Sequence, residues 1–167
     1  RYLWMPINSE TTTSTDRSVK GQTITYDATF ASQYSALGSG WQASFNGSSD
    51  YGAAPDQSYM VFGDGANDNP FSVWAVVNQT ATATVKTILS RFDLDTGDTR
   101  REWWFALDAA EKLYLRTYDD SAGDVYIGRT YSTALATGSP LCISGTYDGS
   151  RQNSGFKLYS AGARIDN

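Results

Sequence analysis

Short apolar or alternating segments recur along the chain from Trp41 onward. Turn-forming residues separate them, as in Asp108-Ala109-Ala110-Glu111 and Asp148-Gly149-Ser150. An alternation with a period of two is typical of a strand with one buried face, and Asp, Gly and Ser at the breaks are typical of tight turns. The pattern therefore predicts antiparallel strands at 71–77, 85–92, 101–107, 112–118, 124–129, 141–147 and 155–159.

Two stretches depart from this regular pattern. Phe71–Val77 is apolar almost throughout, which predicts a strand buried on both faces. Residues 1–40 are rich in Ser, Thr and Gly, with β-like runs at Tyr2–Met5 and Gln22–Phe30, and they predict edge strands joined by loops. Helical structure is expected at most as a single turn at Ser132–Thr137. Many short strands at this spacing predict a β-sandwich or barrel.

The composition excludes several classes of function. The chain has 167 residues, enough for about one domain, and a formal net charge of -5. A negative net charge disfavours nucleic acid and anionic membrane surfaces as partners, and no segment approaches the ~18 apolar residues of a membrane span. Without histidine, the chain cannot form a Ser-His-Asp or Cys-His catalytic site. Cys142 is the one cysteine, and its apolar neighbours predict a buried side chain.

Several segments follow one another in a characteristic order: Ser44–Tyr51, Asp64-Gly65, Pro70–Ala75, Ile88–Ser90, Glu102–Phe105, Leu113–Leu115, Tyr126–Arg129 and Gly145–Gly149. This series resembles the laminin-G-like branch of the concanavalin A-like jelly rolls, of the kind found in phage virion and bacterial surface proteins. The resemblance implies an all-β, antiparallel two-sheet jelly-roll sandwich. It implies one domain over residues 1–167, with 1–40 as edge strands and loops and 41–167 as the main sandwich. An extracellular, cell-surface or virion location follows from the same resemblance.

This fold hosts lectins, adhesion modules, glycoside hydrolases and structural subunits, so the function is argued from candidate sites. Glycosidases need a pair of acidic residues across the sugar, and jelly-roll glucanases usually carry a Glu-x-Asp-x-x-Glu strand. None of the glutamates, Glu10, Glu102 and Glu111, lies in that pattern. An aspartate pair is the alternative, but the aspartates cluster in turns, where Asp commonly caps its own backbone. We therefore predict that the protein is not an enzyme.

One predicted strand and its predecessor carry candidate sugar-binding side chains. In 112–118 the alternation separates an apolar face from a face of aromatic and charged residues. Exposed rings beside arginine suit sugars, because a ring stacks on the C–H face while charged groups bind the hydroxyls. Ordinary cross-strand pairing of Tyr and Trp is the alternative interpretation. The predicted glycan-binding residues are Trp104, Tyr114, Arg116 and Tyr118.

Calcium is the candidate cofactor. Asp93, Asp95 and Asp98 place three carboxylates in one predicted hairpin loop, and hard cations prefer such oxygen-rich sites. The loop does not match an EF-hand, and a solvated turn is the alternative; related jelly rolls often hold calcium in the equivalent region. A secondary acidic group consists of Asp50, Asp56, Asp64 and Asp68.

The family resemblance implies one or two further strands beyond the strand that ends near Ile165. Their loss would leave an unpaired sheet edge, which a longer chain or a neighbouring subunit would complete. The expected partners are a glycan or polysaccharide and further copies or other subunits of an assembly. The predicted function is a non-catalytic carbohydrate-binding or adhesion module of a virion or cell-surface protein. The alternative is a coat, decoration or fibre subunit that binds no sugar.

Overall fold

The computed structural model describes residues 13–15, 18, 20–27, 34–37, 40–63, 66–91, 101–119 and 125–166. Within these residues the regular structure is all-β and every strand pairing is antiparallel. The helical structure described is limited to short 3-10 turns at Ser58–Met60 and Asn153–Gly155, so no described helix could cross a membrane. The chain divides into two compact units, Arg1–Met60 and Val61–Asn167.

In the first unit the strands are β1 (Thr13–Thr15), β2 (Thr23–Tyr26), β3 (Tyr34–Leu37), β4 (Gly40–Ala43) and β5 (Gly52–Ala53). They form two small sheets, with the orders β1-β2-β5 and β3-β4. β2 shows the alternation expected from its sequence, because Ile24 and Tyr26 are buried while Thr23 and Thr25 are exposed. The predicted strand at Tyr2–Met5 lies outside the described residues.

The second unit contains eight strands in two four-stranded sheets. They are β6 (Phe71–Val77), β7 (Lys86–Arg91), β8 (Trp103–Leu107), β9 (Leu113–Asp119), β10 (Val125–Thr130), β11 (Leu141–Tyr147), β12 (Phe156–Ser160) and β13 (Ala163–Arg164). The front sheet has the order β10-β9-β8-β7 and the back sheet the order β13-β12-β11-β6. β6 to β12 confirm the seven predicted strands, with ends that differ by at most two residues.

The two sheets of the second unit share one hydrophobic core. Phe105 and Leu115 from the front sheet and Ile143 and Phe156 from the back sheet are completely buried in it. The sheets approach closely at Gly145, where a β-carbon would lie 2.9 Å from Leu115 Cδ2. Because each sheet buries one apolar face against the other, the packing is sandwich-like.

The prediction that β6 is buried on both faces is wrong. Phe71 and Val73 are buried, but the side chains of Trp74 and Val76 are 55% and 60% exposed. Only the inner face of the back sheet meets the front sheet, so alternate residues of β6 point outward whatever their polarity.

Cys142 was predicted to be buried, and the structure corrects this as well. Its side chain is exposed, and it lies opposite Val76 in the β11–β6 register. Ile143 and Tyr147 occupy the inward positions of β11, so residue 142 points outward. The single helical turn expected at Ser132–Thr137 is also absent, and this described segment is a loop whose Leu135 is buried.

Two predicted turns are confirmed by their hydrogen bonds and backbone angles. The Asp108 carboxylate accepts hydrogen bonds from the amides of Ala110, at 2.8 Å, and Lys112, at 2.9 Å. Gly149 has φ +79°, and a β-carbon there would lie 2.6 Å from the carbonyl oxygen of Asp68. Glycine is therefore required at 149 both for its φ angle and for the close approach of the 66–70 loop.

Candidate functional site

The outer face of the front sheet collects all four predicted glycan-binding residues. Tyr114, Arg116 and Tyr118 alternate along β9, and Trp104 lies opposite Arg116 on β8. On the other side of β9, Tyr126 of β10 lies opposite Tyr118. We call these five residues, Trp104, Tyr114, Arg116, Tyr118 and Tyr126, the aromatic face.

The Trp104 side chain is held by two neighbours. Its ring meets that of Tyr114 edge to face, with centroids 5.5 Å apart and planes at 85°. Its indole Nε1 donates a hydrogen bond to Thr87 Oγ1 at 3.0 Å. Edge-to-face contact is a favoured geometry for aromatic pairs, so the indole has a defined position on the sheet.

Arg116 lies among tyrosines. Its guanidinium carbon is 4.2 Å from the ring centroid of Tyr114 and 4.5 Å from that of Tyr126, both within cation–π distance. The rings of Tyr118 and Tyr126 are themselves in contact, with centroids 5.5 Å apart. Gly128 lies opposite Arg116 on β10, and a β-carbon there would lie 2.7 Å from Arg116 Cγ. The absence of a side chain at 128 thus makes room for the arginine stem.

The members of the aromatic face differ in exposure. Tyr126 is 51% exposed and Tyr114 only 2%, while Trp104, Arg116 and Tyr118 are half-buried. Tyr126 can therefore contact a ligand directly, whereas Tyr114 supports Trp104 and Arg116 from below. Sequence reasoning did not select Tyr126, although its position across a short hairpin from Tyr118 was a usable signal.

Burial raises the pKa of both Tyr114 and Tyr118. The positive charge of Arg116 opposes the shift in both residues, and a hydrogen bond with Arg116 opposes it in Tyr118 as well. Both phenols are consequently neutral around pH 7, and their hydroxyl groups keep the proton that a hydrogen-bond donor needs.

The glutamates near the front sheet form ion pairs with basic residues. Glu102 is 2.9 Å from Arg91, and Glu111 pairs with Lys86. Both pairs are partly shielded from water. The negative charges of Glu102 and Glu111 are therefore balanced by neighbouring basic residues.

A small cleft of about 30 Å³ lies beside the aromatic face, lined by Tyr118, Glu102, Asp68 and Tyr147 among others. The Tyr147 hydroxyl donates a hydrogen bond to Asp68 Oδ2 at 2.6 Å and accepts one from the amide of Arg151 at 2.8 Å. Burial and the bond to Asp68 raise the pKa of Tyr147. A cleft of this size holds one or two water molecules and not a sugar ring. A glycan would therefore bind on the open face.

The candidate calcium ligands Asp93, Asp95 and Asp98 lie outside the described residues, so the calcium site stays a prediction. Elsewhere in the described part of the chain, no group of three or more acidic or cysteine side chains is arranged to hold a metal ion. Of the secondary acidic group, Asp50 accepts a hydrogen bond from the Asn46 amide at 2.8 Å, and Asp68 accepts the one from Tyr147.

No protein-family profile, curated protein or solved structure matches the chain.

Proposed function

We propose that the protein is a non-catalytic carbohydrate-binding or adhesion module of a virion or cell-surface protein, and that it binds glycans on the aromatic face. The observation that carries the proposal is the half-exposed ring of Tyr126 in contact with Arg116 and Tyr118. Rings of this kind stack on the apolar face of a sugar, while guanidinium and phenol groups bind its hydroxyls.

The finer fold assignment is part of this proposal. Two antiparallel four-stranded sheets that share a core are compatible with a laminin-G-like jelly roll of the concanavalin A class. The sequence resemblance supports the same assignment and an extracellular, cell-surface or virion location. Calcium bound by Asp93, Asp95 and Asp98 is the candidate cofactor.

The non-catalytic part of the proposal draws support from the contacts of the two described glutamates. A glycosidase needs one carboxyl group that is protonated and free to donate its proton to the leaving oxygen. Glu102 and Glu111 instead pair with Arg91 and Lys86. Both described glutamates are therefore held by basic residues.

A glycan array tests the proposal directly. We expect the purified protein to bind a defined group of glycans. Comparing one array in millimolar calcium with another in a chelator shows whether the metal contributes to binding. Tyr126→Ala should weaken binding about tenfold or more, since loss of one stacking ring removes more than about 1 kcal/mol.

Trp74→Ala is the matched control, because Trp74 is also a half-exposed aromatic residue but lies on the outer face of the back sheet. It should bind like the parent. If Trp74→Ala loses binding while Tyr126→Ala keeps it, the glycan binds on the back sheet instead. A folded protein that binds no glycan would refute the proposal.

A second candidate function is a structural coat, decoration or fibre subunit. Trp74 and Val76 form an exposed apolar pair on β6, and β6 pairs with β11 alone among the described strands. Exposed apolar side chains on such a strand suit a subunit contact. Sedimentation velocity over a range of concentrations should then reveal oligomers that Trp74→Thr abolishes. A monomer at every concentration would exclude this function.

A further inference from the structure

Arg116 differs in its surroundings from several other basic residues of the second unit. Arg91 pairs with Glu102, Lys86 with Glu111, and both Arg129 and Arg164 with Asp166. Within the residues that the structure describes, Arg116 contacts tyrosine rings and the Tyr118 hydroxyl, and no carboxylate lies within ion-pair distance of it. A half-buried guanidinium without an acidic partner favours an anionic ligand.

The side chain is also held ready for such a ligand. Gly128 leaves the space that the Arg116 stem occupies, and the rings of Tyr114 and Tyr126 contact the guanidinium. A guanidinium carries five N–H donors, so these ring contacts leave donors for hydrogen bonds to a ligand. Because the side chain is already ordered, binding costs less conformational entropy than it would for a free surface arginine.

We propose that the glycan bound on the aromatic face is acidic, and that Arg116 binds the carboxylate of a uronic or similar sugar acid while Tyr126 stacks on a ring. This inference rests on the proposed function. The planar fork of the guanidinium matches two carboxylate oxygens, and the neutral phenol of Tyr118 is a neighbouring hydrogen-bond donor.

The overall charge of the protein makes this inference easy to test. A formal net charge of -5 repels an anionic polysaccharide, so non-specific attraction is not an explanation for binding. Binding of an acidic glycan would therefore indicate a local site with compensating positive charge.

The experiment compares polygalacturonate, alginate and hyaluronan with their carboxyl-methylated forms, by affinity electrophoresis of the full chain. Methylation removes the charge and leaves the sugar rings in place. We expect it to weaken binding about tenfold or more, the loss typical of a charge-assisted contact. Equal binding of both forms would overturn this inference and leave the proposed function intact. Absence of binding to both forms, together with a silent glycan array, would overturn both.

Two substitutions of Arg116 test whether this residue causes the preference for the acidic form. Arg116→Gln should lose the preference for the acidic form, and Arg116→Lys should keep only part of it because lysine lacks the planar fork. The matched control is Lys157→Gln, which removes one positive charge from the back sheet, opposite Thr146, and should bind like the parent.

An unchanged preference in Arg116→Gln, or an equal loss in Lys157→Gln, would contradict the assignment. If Arg116→Gln fails to fold, the comparison of Arg116→Lys with the parent decides the question. Dextran sulfate carries sulfate groups in place of carboxylates and is measured in the same way. If the protein binds it as tightly as polygalacturonate, the choice of a carboxylate is wrong.

Discussion

The conformation of the aromatic face depends on Gly128. A β-carbon at this position would lie 2.5 Å from the carbonyl oxygen of Leu115 and 2.7 Å from Arg116 Cγ. Both distances are far below van der Waals contact, and the first involves backbone that cannot rotate away. A side chain at 128 would therefore separate β10 from β9 or displace Arg116 from the tyrosines.

Gly128→Ala should lower the free energy of unfolding by about 1–3 kcal/mol, the usual cost of overpacking. Urea unfolding measures this loss, and near-UV circular dichroism reports the changed surroundings of the tyrosines. Ser144→Ala, on the outer face of the back sheet, is the control and should change stability by less than about 0.5 kcal/mol. A stable Gly128→Ala variant with an unchanged spectrum would contradict the close approach.

The Asp166 carboxylate accepts hydrogen bonds from several donors. It accepts bonds from the Leu158 amide and Arg129 Nε, each at 2.9 Å, and from Arg164 Nε at 3.0 Å. Burial by itself raises the pKa of Asp166, but these donors together hold the pKa well below its usual range. Asp166 thereby joins the end of β13 to β12 and β10.

The low pKa of Asp166 predicts a loss of stability in acid. Because the pKa is lower in the folded state than in the unfolded chain, the stabilisation is present above about pH 4 and is lost as the pH falls through the folded-state pKa. Asp166→Asn should cost about 1.5–3 kcal/mol at pH 7. Thermal melting between pH 2 and pH 7 should show a shallower acid loss in the variant. An identical pH profile in both proteins would refute this role.

At the scale of elements, the two-residue alternation predicted strand positions well. β11 has the predicted bounds, and the apolar and aromatic faces of β9 divide as the alternation requires. Burial on both faces could not be inferred for β6, because an apolar side chain on an outer face looks the same in the sequence as one in the core. Whether a face is covered depends on what packs on it, which is a tertiary property.

The two faces of β6 should respond differently to the same replacement. Val73→Thr places a hydroxyl group in the shared core and should cost about 1–3 kcal/mol, since a buried polar group without a partner is unfavourable. Trp74→Thr changes a side chain that is 55% exposed and should cost less than about 1 kcal/mol. Chemical denaturation of the two variants compares them. An equally large loss for Trp74→Thr would restore the prediction of two buried faces.

At the scale of the whole molecule, the structure divides into two compact units, whereas the sequence predicted a single domain over residues 1–167. The described core cluster runs from Phe62 to Ile165 and draws on both sheets of the second unit. A chain segment that supplies its own core can fold alone.

We therefore expect a fragment of residues 61–167 to unfold cooperatively. Thermal melting followed by near-UV circular dichroism tests this, with the full chain as the reference. A fragment without a cooperative transition would favour the predicted single domain, in which strands from residues 1–60 belong to the same fold.

The amino-acid sequence by itself determined the all-β class, the antiparallel pairing of the predicted strands and the separate faces of β9. These features follow from local periodicity and turn chemistry, which are properties of neighbouring residues. Only the tertiary structure decided that Tyr126 joins the aromatic face, that Tyr114 is its buried member, and that Cys142 points outward. The physical reason is that register between strands and coverage of a sheet face depend on residues distant in the chain.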